Sequence, residues 1–147
     1  MKKILALALL SLLLIGCTKE KFYFDDLYYK EYKIEEVDSN TFNELVKDKS
    51  SFAVFVYLSG CTSCSKFSTV LDSVLKEKNV TVLKLSYKDL KGTILEDKVK
   101  YSPSLVLINK GIIESYLRSD KDSDLIYFED SEKLEEWINN YAYLSKE

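Results

Sequence analysis

The chain has 147 residues, with 21 Lys and Arg against 24 Asp and Glu and a formal net charge of −3. That mildly acidic balance is a poor match for a phosphate backbone, so no nucleic-acid partner is expected. Histidine is absent altogether, which rules out Ser-His or Cys-His catalysis and any His-ligated metal.

At the N-terminus, Lys2 and Lys3 precede an apolar stretch from Ile4 to Ile15 that ends in Leu14-Ile15-Gly16-Cys17. A bilayer-crossing helix needs about 20 apolar residues, so this shorter run reads as the core of an export signal over residues 1–16. Leu-Ile-Gly-Cys resembles the bacterial lipobox. The resemblance implies cleavage before Cys17 and lipidation of that cysteine, which would hold the protein outside the cytoplasm on the bacterial cell membrane. An ordinary secretory signal with an incidental cysteine is the alternative. Lipidation would leave Cys61 and Cys64 as an even pair in an oxidising compartment.

Residues 17–32 would form the lipidated N-terminus and an aromatic-rich tether. Phe22, Tyr23, Phe24, Tyr28, Tyr29 and Tyr32 stand there among charges, with no Gly, Pro or Ser. A flexible linker carries fewer aromatics, so the segment is expected either to dock on the domain edge or to meet the membrane interface or a partner.

A single domain is expected over residues 33–147. Ile34 to Val37 predicts a short strand, and Thr41-Phe42-Asn43-Glu44 has capping-box spacing for a helix with Phe42, Leu45 and Val46 on one face. Phe52 to Leu58 has no polar face, as a central strand covered on both sides requires. Cys61-Thr62-Ser63-Cys64 then opens a helix reaching about Lys78, with Phe67, Val70, Leu71, Val74 and Leu75 toward the sheet. Val80 to Leu85 predicts a strand, Asp89 to Lys98 a weaker helix, and Leu105 to Ile108 a second apolar strand. Asn109-Lys110-Gly111 turns the chain into Ile112 to Leu117 as a hairpin. Leu134, Trp137, Ile138, Tyr141 and Ala142 predict a closing helix.

This order predicts an α/β sandwich with parallel and antiparallel strands in one sheet, and a site where a strand hands over to a helix. The cysteines occupy such a position. Two cysteines at i and i+3 can close a disulfide, and a helix N-terminus stabilises an attacking thiolate.

Over about residues 33–147 the chain resembles the thioredoxin-like proteins. The strand-loop-CxxC-helix carries the likeness, together with Tyr101-Ser102-Pro103-Ser104, which is similar to the family's cis-proline loop and holds the only proline. The resemblance implies a mixed β-sheet flanked by helices on both faces and a thiol-disulfide oxidoreductase working by mixed-disulfide exchange. In that scheme Cys61 attacks, Cys64 resolves, Ser102 and Pro103 position the substrate chain, and Lys84 modulates the cysteine pKa. No cofactor is needed, because the disulfide carries the two electrons. Implied partners are exported protein thiols or disulfides, and a transmembrane electron donor if the protein is a reductase.

The chain also departs from that pattern. Phe55 stands where thioredoxins place a buried aspartate, and Gly60 where they place a tryptophan. Losing the aspartate removes the group thought to accept the resolving thiol's proton. The alternative to an enzyme is therefore a redox-inert lipoprotein interaction module whose CxxC disulfide is structural.

No metal is expected. A zinc site needs four ligands, and with Cys17 lipidated only carboxylates remain to complete one at the CxxC. Asp120-Lys121-Asp122-Ser123-Asp124 has the alternate carboxylates of a calcium loop, but Leu125 replaces its glycine and Ser131 its bidentate glutamate, so a solvated acidic loop is expected.

Overall fold

The computed structural model describes residues 20–146. The signal segment 1–16 and Cys17 lie outside the described residues. Among those described, no helix is long and apolar enough to cross a membrane.

A five-stranded sheet organises the domain: β2 (Lys33–Val37), β3 (Phe52–Tyr57), β4 (Thr81–Ser86), β5 (Ser104–Asn109) and β6 (Ile112–Tyr116), in spatial order β2-β4-β3-β5-β6. β2, β4 and β3 run parallel, and β5 and β6 are antiparallel. β3 lies at the centre, and its residues Phe52 to Val56 are all buried. Successive side chains of a strand point to opposite faces. Accordingly Phe52 meets Phe42 of helix α1 (Ser39–Lys47) at 5.8 Å, while Phe55 meets Phe67 of helix α2 (Thr62–Lys78) at 5.3 Å. The helices thus cover both faces of one mixed sheet, as the sequence pattern predicts. On the α2 face, α3 (Leu125–Glu129) and α4 (Ser131–Asn139) complete the layer, with Phe67 and Phe128 in edge contact at 4.8 Å.

The local chemistry differs from expectation in four places. Helix α1 is capped by Asp38, whose carboxylate accepts the Thr41 N–H at 2.8 Å, so the capping-box residues already lie inside the helix. The weak helix expected over Asp89 to Lys98 is a short 3₁₀ turn (Tyr87–Asp89) followed by turns. Gly92 takes φ +76°, and the Thr93 hydroxyl, which donates to Leu90 O and accepts from Leu95 N–H, competes with helical bonding. The acidic loop passes directly into α3. The last helix stops at Asn139, and Ala142 belongs to a strand, β7 (Ala142–Tyr143).

β7 pairs in parallel with β1 (Phe22–Tyr23) in a second, two-stranded sheet. Phe22, Phe24 and Tyr28 are buried in the core, so the aromatic-rich segment from Phe22 packs into the domain. At the β5–β6 turn, Lys110 and Gly111 both have positive φ. A side chain on Gly111 would meet Val46 O at 2.3 Å, which requires glycine there.

Candidate active site

The chain leaves β3 after Tyr57, turns through Gly60 at φ +78°, and enters α2 at Cys61. Cys61 is the N-cap. Its Sγ accepts the Cys64 backbone N–H at 3.0 Å, satisfying a donor that the helix itself cannot. The two sulfurs are joined in a disulfide, with the Cα atoms 5.2 Å apart. The Ser63 hydroxyl lies 3.1 Å from the Cys61 sulfur, which has no hydrogen in the disulfide and therefore accepts. Cys64 is 4% exposed and Cys61 is half-buried, so Cys61 is the sulfur an incoming group can reach. After reduction the same N–H and the positive end of α2 face the Cys61 sulfur, favouring its thiolate. This arrangement can perform nucleophilic attack on a disulfide.

Two depressions border the cysteines' turn. One, of about 270 Å³, is lined by Ser63, Lys66, Ser102, Pro103, Leu125 and Phe128, among others. The fold thus brings Ser102 and Pro103 beside the first turn of α2. The Ser102–Pro103 peptide bond is cis, Pro103 is buried, and Ser102 is half-buried. The next residue, Ser104, is buried and donates through Oγ to Leu117 O at 2.7 Å, tying the start of β5 to the end of the hairpin.

The other depression, a groove of about 540 Å³, is lined by Cys61, Cys64, Phe55, Tyr57, Asp72 and Lys84, among others. Lys84 lies in register with Phe55 on one side and Glu36 on the other. Its ammonium stands 3.9 Å from the centre of the Tyr57 ring. The Tyr57 hydroxyl donates to Glu36 Oε1 at 2.5 Å; this bond, together with burial, pushes the phenol up to about 12. Phe55 is 1% exposed and fills the floor of the groove with its ring.

Sequence reasoning missed Tyr57 and Asp72 at this groove, Glu36 as the partner of Tyr57, and Leu125 and Phe128 at the other depression. The only signal for Tyr57 was a hydroxyl at the end of an otherwise apolar strand. Two of the acidic loop's three carboxylates are engaged by the chain's own donors, and Asp122 is exposed. Asp120 binds the Arg118 guanidinium at 2.7 Å, which holds it below the usual carboxylate range, and Asp124 accepts the Arg118 N–H at 3.0 Å. Among the described residues, no three His, Cys, Asp or Glu side chains gather as a metal site.

In comparison with known proteins, the family model described as Thioredoxin matches residues 33–131. No curated protein matches the sequence. Among solved structures, the long form of thioredoxin f from spinach chloroplast is 18% identical, with 82% of this chain and 96% of that chain covered and a TM-score of 0.57. Thioredoxin f2 of Chlamydomonas reinhardtii is 20% identical, covering 63% of this chain and 90% of its own at a TM-score of 0.50. At such identities the likeness is one of fold.

Proposed function

The chain belongs to the thioredoxin family, and from that premise we propose that it is a thiol-disulfide oxidoreductase, anchored to the outer side of a bacterial cell membrane and acting on exported protein thiols. One observation carries the activity: an accessible Cys61 caps a helix N-terminus and is disulfide-bonded to a buried Cys64. In the reducing direction the Cys61 thiolate attacks a substrate disulfide, one substrate thiolate leaves, and Cys64 then displaces the second from the mixed disulfide. Ser102 and Pro103, beside Ser63, border the surface on which the substrate chain is positioned.

The location rests on residues 1–17. A lipidated Cys17 lies five residues before the start of β1 at Phe22, so the domain would ride close to the bilayer. A transmembrane electron donor would recharge a reductase, and a quinone-linked or small-molecule oxidant an oxidase.

A redox-inert interaction module is the second reading. It is favoured by Phe55, whose buried ring lines the groove at the place where thioredoxins carry the carboxylate thought to take the resolving proton. Reduction of insulin by the dithiothreitol-charged protein tests the choice: turnover lost in Cys61→Ala supports the enzyme, and absence of turnover in the wild type supports the module.

A further inference from the structure

Glu36 is the carboxylate that strand register sets directly opposite Lys84. It is nonetheless spent on the Tyr57 hydroxyl. Among the described residues no carboxylate lies within salt-bridge distance of Lys84. What Lys84 has instead is the face of the Tyr57 ring at 3.9 Å, an attraction between the cation and the ring quadrupole that leaves the positive charge unneutralised. The bond to Glu36 fixes that ring. Lys84 lines the groove together with both cysteines.

We infer that Glu36 and Tyr57 are positioning residues, which hold the Lys84 ammonium in the groove so that its charge stabilises the Cys64 thiolate during the resolving step. This rests on the reading of Cys61 and Cys64 as a redox pair. In that step the mixed disulfide joins Cys61 Sγ to a substrate sulfur, and the Cys64 thiol releases its proton to solvent in the groove. The Cys64 thiolate attacks Cys61 Sγ. The bond to the substrate breaks, its electron pair leaves on the substrate sulfur, and that sulfur takes a proton from solvent. Over the whole exchange, from the first attack of Cys61 to this step, the substrate disulfide gains two electrons and the cysteine pair loses them. The Lys84 ammonium supplies a field in place of a base, so Phe55 can occupy the place of a carboxylate.

The other charges here oppose thiolate formation. Glu36 and Asp89 act on Tyr57, and Asp72 of α2 lines the groove while accepting the Tyr32 hydroxyl. Lys84 is the cation that offsets them.

The test is the pH titration of the Cys64 ¹³Cβ shift in the reduced full-length chain. Lys84→Met and Tyr57→Leu should each raise the midpoint by about one unit, and the double variant should raise it no further than either alone. Tyr57→Phe, which keeps the ring and the strand packing but loses the bond to Glu36, should give a smaller shift of the same sign and carry the test if Tyr57→Leu does not fold. An unmoved midpoint in the Tyr57 variants, or additive shifts in the double variant, would overturn the inference. The readout needs no substrate. A chain that titrates as described but exchanges no disulfide leaves this inference standing and defeats the oxidoreductase reading.

Discussion

At the scale of single residues, the site divides into what is local in sequence and what depends on strand register. Cys61 and Cys64 are three positions apart behind an apolar strand, so their place at a helix N-terminus is legible from the chain alone. The partnership of Glu36, Tyr57 and Lys84 arises only when β2, β4 and β3 align side by side, and no sequence period encodes that alignment. The roles of the two sulfurs predict unequal trapping: Cys64→Ala should accumulate mixed disulfides through Cys61, and Cys61→Ala few, as read on non-reducing gels. Phe55 makes a second prediction. It is fully buried against Phe67, so Phe55→Asp should cost about 3 kcal/mol or more in chemical denaturation, with Lys84 as the only cation in register to meet the new carboxylate. An unchanged stability would mean that Phe55 does not lie beneath the cysteines.

Among the elements, the long ones with an unbroken apolar pattern were legible: β3, α2, β5 and the hairpin. The failures have two causes: local side-chain or backbone chemistry overriding a weak periodic pattern, and a pairing partner distant in sequence. Gly92 and the Thr93 hydroxyl dissolve the helix expected over Asp89 to Lys98. Ala142 follows helical spacing, yet it pairs as a strand because its partner, Phe22, lies at the far end of the sequence. Helix α1 supplies a pH prediction. The Thr41 N–H, bonding to the Asp38 carboxylate, holds that group below its ordinary value of 3.8. A depressed folded pKa contributes stability above the unfolded value and loses it as pH falls through the folded one. Thermal unfolding of Asp38→Asn, which keeps a capping oxygen, should therefore depend less on pH below about 4 than the wild type. Gly111→Ala should destabilise by about 1–3 kcal/mol, because the added methyl meets Val46 O in a left-handed turn, whereas Gly92→Ala should cost about 1 kcal/mol, since nothing lies within 4 Å of its Cβ position.

For the whole molecule, the fold class and its layers followed from the order of strands and helices, but the extent of the folded unit did not. The aromatic-rich composition argues against a flexible linker and for docking on the domain edge, but Phe22, Phe24 and Tyr28 go further and complete the core, and β1 closes on β7. Phe24→Ala should accordingly cost about 3–5 kcal/mol in denaturant unfolding, as a core truncation does and a tether substitution does not. Cys17→Ser should release the protein from the membrane fraction while leaving its unfolding transition unchanged, because the anchor would be a lipid chain and not part of the fold. Exchange activity at the helix N-terminus is the claim on which the rest depends, and the equilibrium reduction potential of the Cys61–Cys64 pair against a glutathione buffer tests it most directly. A pair that turns over should lie between about −120 and −270 mV; a value below about −300 mV, the range of structural disulfides, would overturn the oxidoreductase reading.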